Sequence, residues 1–256
     1  MSVIEKVTEI VKSAGEVLLE QVEAGFTITK KGQIDLVTDA DHAVEEFLIR
    51  ELKKEFPSYS FYAEEHGYLA GEESDAVWLI DPIDGTTNFA HGFPYFSISV
   101  ALAVGNETIL GVVYNPPTRE CFTAEKGQGA KRNGQVIRVS SINNLQESLL
   151  VTGFPYDIKT TTKDNMAEFA RATRATQGVR RTGSAALDLC NVACGRFEGY
   201  WEQNISLYDI AAGALILKEA GGIATDFYGK ELTQNVQNIL ATNGLIQDEL
   251  LQLLHP

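Results

Sequence analysis

With 256 residues, 44% of them hydrophobic and 22% charged, the chain has apolar content enough for a sizeable core in one large domain or two fused lobes. No stretch approaches the roughly 18 consecutive apolar residues of a membrane span. A formal net charge of −14 argues against direct nucleic-acid binding, which needs cations to neutralise phosphates, and makes any phosphorylated ligand dependent on local compensation by metal ions, lysine or backbone N–H groups.

In chain order, Ser2-Val3-Ile4-Glu5 reads as a capping box. Val3, Val7, Ile10, Val11, Ala14, Val17 and Leu18 then keep a helical period, and Gly25 offers a stop. Glu5, Lys6, Glu9 and Lys12 interrupt that periodicity with charge, so the segment is not a signal peptide and a cytoplasmic address is expected. A second helix is predicted from about Ala40 to Phe56, ended by Pro57. Val77 to Ile80 reads as a buried strand that stops at Asp81-Pro82; Phe96 to Val104 and Ile109 to Tyr114 follow as strands around a Gly105-Asn106 turn. Asn133-Gly134 is a hairpin signal. In the second half, Leu149 to Thr152 and Phe197 to Trp201 are strand-like. Asn165 to Thr176, Ser184 to Cys194, Asp209 to Ala220 and Gln247 to Leu254 are helical. With no Pro/Ser-rich linker or repeat, one α+β unit over 1–256 is expected, with two lobes, about 1–144 and 145–256.

Cys121, Cys190 and Cys194 are too few and odd in number for a secreted disulfide framework, and read as packing residues. The four histidines (His42, His66, His91, His255) have no metal-ligand spacing, so zinc has little support.

The chemistry concentrates in Asp81-Pro82-Ile83-Asp84-Gly85-Thr86-Thr87-Asn88-Phe89. An apolar strand delivers two aspartates onto a turn, where Pro82 restricts the backbone and Gly85 permits close approach. Asp81, Asp84 and the Ile83 carbonyl between them are the oxygen donors that a magnesium-type ion takes, and the Gly85 and Thr86 N–H groups suit a phosphate oxygen. An ordinary Asx turn has the same composition, but the nine-residue string behind a W-L-I strand is far more specific.

That string resembles the first signature of the inositol monophosphatase family. Tyr208-Asp209-Ile210-Ala211-Ala212-Gly213, followed by Glu219-Ala220-Gly221-Gly222, resembles its second. Asp35-Leu36-Val37-Thr38-Asp39-Ala40-Asp41 leading to Ala63-Glu64-Glu65, and Gly183-Ser184-Ala185-Ala186, agree in order, so the likeness spans roughly residues 30 to 222. It implies an αβαβα layered sandwich, a homodimer, lithium inhibition and two or three Mg²⁺ ions per site. It implies a first metal on Glu64, Asp81 and the Ile83 carbonyl, and a second on Asp81, Asp84 and Asp209. Asp41 and Thr86 match the pair that helps activate the attacking water together with Glu64. Gly85 and Thr86 match phosphate contacts; Gly183, Ser184, Ala185 and Glu202 match contacts to the alcohol half of the substrate, and Lys30 a basic residue at the mouth.

The residues themselves leave alternatives open. Asp39 competes with Asp41, Glu64 and Glu65 also suit a solvated loop pair, Asp209 suits a helix cap, and Glu202 a surface strand. Arg180-Arg181 suits either a second phosphate or a dimer interface. Tyr208 stands where many relatives carry tryptophan. Without cations the carboxylates would repel, which is itself an argument for bound metal. The expected activity is Mg²⁺-dependent hydrolysis of a small phosphate monoester, foremost inositol monophosphate. The alternatives are fructose 1,6-bisphosphate, a nucleotide 3′-phosphate, or a regulatory protein on this fold that contacts the transcription machinery.

Overall fold

The computed structural model describes residues 1–24, 27–30, 36–72 and 75–254, without the side chains at 23, 24, 28, 30, 36 and 37. The expected stop at Gly25, the residues Lys31, Asp35 and His255, and the Lys30 side chain lie outside the described residues. Helix α1 (Val3–Ala24) starts on the expected capping box: the Ser2 N–H donates to Glu5 Oε2 at 2.8 Å, and the Glu5 N–H to Ser2 Oγ at 3.4 Å. Strands β1 (Ile28–Lys30) and β2 (Leu36–Thr38) pair antiparallel and lead into α2 (Asp39–Glu55). Next come β3 (Ser60–Ala63), β4 (Gly67–Leu69), β5 (Ala76–Asp84), the short helix α3 (Thr86–Ala90), β6 (Ser97–Val104) and β7 (Glu107–Asn115). Strands β8 (Glu120–Glu125), β9 (Ala130–Arg132) and β10 (Gln135–Val136) complete that half, with Asn133 and Gly134 at positive φ in the last hairpin. The second half runs β11 (Leu149–Thr152), α4 (Met166–Ala175), β12 (Gly178–Arg180), α5 (Ala185–Ala193) and β13 (Gly199–Gln203). It closes with α6 (Leu207–Glu219), β14 (Ile223–Thr225), β15 (Asn238–Thr242) and α7 (Gln247–Leu254).

Eight strands form one sheet, in the order β10-β9-β8-β7-β6-β5-β3-β4, antiparallel except between β3 and β5. Five form another, β12-β11-β13-β15-β14, parallel on both sides of β11.

Alternation along the strands explains the layering. In β5, Trp78 and Ile80 face one core while Leu79 faces a second; in β6, Ile98, Val100 and Leu102 face the first, Ala101 and Ala103 the second. A strand apolar on both parities must be covered on both faces. Helices α1 and α2 cover the outer side through Val7, Val11, Leu18, Val44 and Leu48. Helices α5 and α6 fill the space between the sheets, where Leu187, Leu189, Ile210 and Ile216 join Val151, Tyr200 and Ile239 of the smaller sheet. Helices α4 and α7 cover the far side, on Leu150, Trp201 and Leu240. The result is an α+β sandwich layered αβαβα.

Three local expectations are corrected. Asp81 and Asp84 lie within the end of β5, not on a turn after it. Asp209 does not begin α6: Ser206 is the N-cap, and Asp209, three residues on, closes the capping box by accepting the Ser206 N–H. The strand expected at Phe197 begins at Gly199, because the Phe197 N–H is still held by the Asn191 carbonyl at the end of α5, at 3.3 Å. Among the described residues no helix is long and apolar enough to cross a membrane.

Candidate active site

The site is built where β5 ends. Asp81 pairs with Ser99 and Asp84 with Ser97 on β6, so three steps on β5 oppose two on β6. In a regular strand, side chains three apart point to opposite faces; the extra residue of this bulge reverses the parity and brings the two aspartates to one side. Pro82, which has no N–H for the ladder, sits inside the bulge. The Ile83 N–H donates to Asp81 Oδ1 at 3.0 Å, which steadies the irregular segment. Gly85 then turns the chain into α3 at φ 98°.

Of the two candidates on α2, Asp39 is exposed and Asp41 is buried. Asp41 Oδ2 accepts the Thr38 N–H and hydroxyl, both at 2.7 Å, in the reciprocal capping box that starts the helix. Asp41 Oδ1 lies 3.4 Å from Thr86 Oγ1, whose hydroxyl is also 3.0 Å from the Ile83 carbonyl. Glu64 follows β3, its N–H bonded to the Ile80 carbonyl on β5 at 3.1 Å. The next two residues are anchored by Glu45 of α2, fully buried, which accepts the N–H groups of Glu65 (2.9 Å) and His66 (2.8 Å).

Asp84 is held from the other half of the chain. Its Oδ2 accepts the hydroxyls of Ser184 and Ser97 (3.2 Å from Ser97) and the Ala186 N–H (2.9 Å), while Oδ1 accepts, among the described residues, only the Ala185 N–H (2.9 Å). The carboxylate therefore sits at the N-terminus of α5, where unpaired N–H groups and the helix dipole favour an anion. Asp209 uses Oδ2 to accept the Ser206 N–H at 2.8 Å at the start of α6. Tyr208 meets Tyr62 edge-on at 5.5 Å between ring centroids.

These carboxylates feel one another. Burial, and after it Glu64, Asp84, Asp209 and Asp41, push Asp81 well above the usual carboxylate range. Burial and then Glu64 do the same to Asp209, against the opposing Ser206 N–H. For Asp84, burial outweighs the Ser184, Ala186, Ala185 and Ser97 hydrogen bonds, and the net direction is up. Among the described residues no three such side chains form a ready-made metal cage; Asp81, Asp84 and Asp209 each spend an oxygen on nearby donors. The donor chemistry nonetheless fits a hard divalent cation: carboxylate oxygens from Glu64, Asp81, Asp84 and Asp209 with a carbonyl at Ile83, no sulfur or imidazole, and a mutual repulsion that a cation would relieve.

In the second half of the chain, Gly183 (φ 91°), Ser184 and Ala185 form the turn over Asp84. Glu202 on β13 accepts the Tyr200 hydroxyl at 2.6 Å and lies against Gly153, where a Cβ would collide with its carboxylate. A cavity of about 640 Å³ beside α6, lined by Leu79, Ala103, Ile210 and Ala214, includes none of the site carboxylates.

The model of the inositol monophosphatase family matches residues 1–256. The chain belongs to the inositol monophosphatase family. It is 44% identical to an inositol-1-monophosphatase from Synechocystis sp. over 252 residues, 98% of this chain and 88% of that one. It is 41% identical to the Nus factor SuhB of Haemophilus influenzae, covering 96% of this chain and 92% of that one. An inositol monophosphatase structure from Anabaena (Nostoc) sp. superposes with a TM-score of 0.89 at 43% identity, covering 98% of this chain and 94% of that one. Membership of this family supports a phosphatase activity.

Against this family background, the residues that sequence reasoning missed are those that hold others. Glu45 is four residues after Asp41 on one helix face, a spacing that was available as a signal. Asn88 donates to the carbonyls of Tyr95 (2.7 Å) and Thr182 (2.8 Å), tying the β5 turn to the 183–185 turn; nothing local announces it. Gly153 leaves the space that Glu202 occupies. Arg180 and Arg181 are both exposed.

Glu202 carries a pH prediction. Burial, offset in part by the Tyr200 hydroxyl, raises its pKa from 4.5 to about 7. Between those values the folded protein holds a proton that the unfolded chain has lost, so this group's contribution to stability is full below pH 4.5 and is lost as pH rises through 7. The full loss is on the order of 3 kcal/mol. Comparing denaturation midpoints at pH 5 and pH 8, Glu202→Gln is expected to flatten the wild-type decline; identical declines would refute the assignment.

Proposed function

We propose that this phosphatase hydrolyses small phosphate monoesters of polyols with Mg²⁺, foremost inositol monophosphate. The observation that carries the reading is the electrostatic cluster at the end of β5, where Asp81 is pushed up by Glu64, Asp84, Asp209 and Asp41 together. Glu64, Asp81 and the Ile83 carbonyl would hold one Mg²⁺, and Asp81, Asp84 and Asp209 a second. Bound there, the ions supply an acidified water and charge neutralisation at the ester oxygens. The Gly85 and Thr86 N–H groups hold a phosphate oxygen. Thr86, 3.4 Å from Asp41, orients the attacking water with Glu64, and these groups take its proton. The water oxygen bonds to phosphorus in line as the ester P–O bond breaks, with no phospho-enzyme.

Gly183, Ser184, Ala185 and Glu202 meet the alcohol, whose several hydroxyls suit a carboxylate acceptor, and Lys30 adds charge at the mouth. The same reading includes a homodimer, inhibition by lithium, a cytoplasmic location and no direct nucleic-acid contact. It treats residues 1–256 as one catalytic unit with lobes 1–144 and 145–256.

Initial rates with Mg²⁺ on inositol 1-phosphate, fructose 1,6-bisphosphate and a nucleoside 3′-phosphate test it. Inositol phosphate is expected to lead in kcat/KM by at least about tenfold. A faster bisphosphate or nucleotide would overturn the substrate. The identity with a protein named Nus factor supports a second, regulatory reading, which would replace the first if the protein captured a partner and hydrolysed none of the three.

A further inference from the structure

Beneath the 183–186 turn lies a buried polar chain that the chemistry above does not use. Asp188 of α5 is 1% exposed, between Leu187 and Leu189 in the apolar middle layer. Its Oδ1 accepts the Tyr95 hydroxyl at 2.8 Å, and the Thr182 hydroxyl lies 2.5 and 2.7 Å from its two oxygens. The Tyr95 oxygen accepts Asn191 Nδ2 at 2.7 Å, and Asn191 Oδ1 accepts Arg196 Nη1 at 2.8 Å. Thr182 is thus pinned twice, by Asp188 through its side chain and by Asn88 through its carbonyl. Immediately after it, Gly183 packs against Asn88 and under Gly85, and Ser184, Ala185 and Ala186 supply three of the four donors on Asp84.

A buried carboxylate is a poor device for stability, since an apolar residue of similar size packs at less cost. A satisfied polar network does, however, select one arrangement of the backbone around it. Here the backbone selected is the turn whose Ala185 N–H is, among the described residues, the single donor to Asp84 Oδ1.

We propose that Asp188 is a positioning residue: through Thr182 it sets the 182–186 turn and so the direction in which Asp84 presents Oδ1 to a divalent cation. The proposal rests on the phosphatase reading given above. It separates from a merely structural role, in which cutting the network would lower stability and leave cation affinity alone.

The test uses the full chain and Mn²⁺ alone, followed by its electron paramagnetic resonance signal, with thermal midpoint and hydrolysis kinetics measured in parallel. Thr182→Val cuts the link to Asp188, and Thr182→Ser keeps the hydroxyl. The expected result is a Mn²⁺ Kd raised about tenfold in Thr182→Val and in Asp188→Ala, restored in Thr182→Ser, with KM for the monoester rising alongside. If Asp188→Ala does not fold, the two Thr182 variants decide. Wild-type Mn²⁺ affinity in a folded Thr182→Val, whatever its midpoint, overturns the proposal while an active wild type leaves the phosphatase reading standing. A wild type that neither binds Mn²⁺ nor hydrolyses a monoester overturns both.

Discussion

Asp81→Asn is expected to cost roughly 10³-fold in Mg²⁺-supported kcat/KM, and to make the metal-free protein more stable than wild type. Both effects follow from one position. Asp81 is 3% exposed and lies among Glu64, Asp84, Asp209 and Asp41, so its negative charge is held against burial and four like charges. Asparagine keeps the oxygen that accepts the Ile83 N–H at 3.0 Å, so the bulge in β5 survives. It removes the charge, and its Nδ2 group becomes a donor toward carboxylates that previously repelled it. Each kcal/mol recovered raises the melting temperature of a domain this size by roughly 2 to 4 °C. Activity falls because a neutral amide is a far weaker donor to a hard cation that both proposed metal positions share. Turnover within tenfold of wild type, or a melting temperature below it, would remove Asp81 from the metal site. A residue retained against its own stability cost is the pattern expected of a functional group.

Gly85→Ala is expected to lower both stability and turnover, by about 3 kcal/mol and about 10²-fold. Gly85 has φ 98°, which an alanine adopts only with strain. The new Cβ would stand 2.9 Å from the Gly183 carbonyl oxygen and 3.2 Å from that of Tyr95. Neither is a flexible side-chain tip, so relief requires the β5 turn and the 183 turn to separate. That separation pulls the Gly85 and Thr86 N–H groups away from the turn that holds Asp84, and spoils the alignment proposed for the phosphate. Urea midpoints and kcat/KM measured on the same preparation check the two parts. A variant with wild-type values for both would mean that the two turns need not touch.

The fold was legible because its strongest signals are local. The run Val77-Trp78-Leu79-Ile80 is apolar on both parities, and only a sheet covered on both faces accommodates that. Ser2 and Glu5, and the Asn133-Gly134 pair, encode a helix start and a hairpin with their immediate neighbours alone. The boundary at Phe197 was missed because its N–H partner, Asn191, belongs to the preceding helix end, which a strand pattern does not register.

The candidate site divides along the same line. Spacing alone placed Asp81, Ile83, Asp84, Gly85 and Thr86 next to each other along the chain, while the bulge that turns the two aspartates to one side depends on the register with β6. It did not choose between Asp39 and Asp41, because both lie in the first turn of α2; contact with Thr86 and the burial of Asp41 distinguish them. Nor did it reveal that Asp84 rests on the N-terminus of a helix 101 residues later, or that Glu45 and Asp188 hold the neighbouring turns. What the amino-acid order determined by itself was strand β5 and the two aspartates at its end, Asp81 and Asp84. What only the tertiary structure decided was the environment of each carboxylate, because ionisation and orientation depend on charges and N–H groups brought near through space, which distance along the chain does not encode.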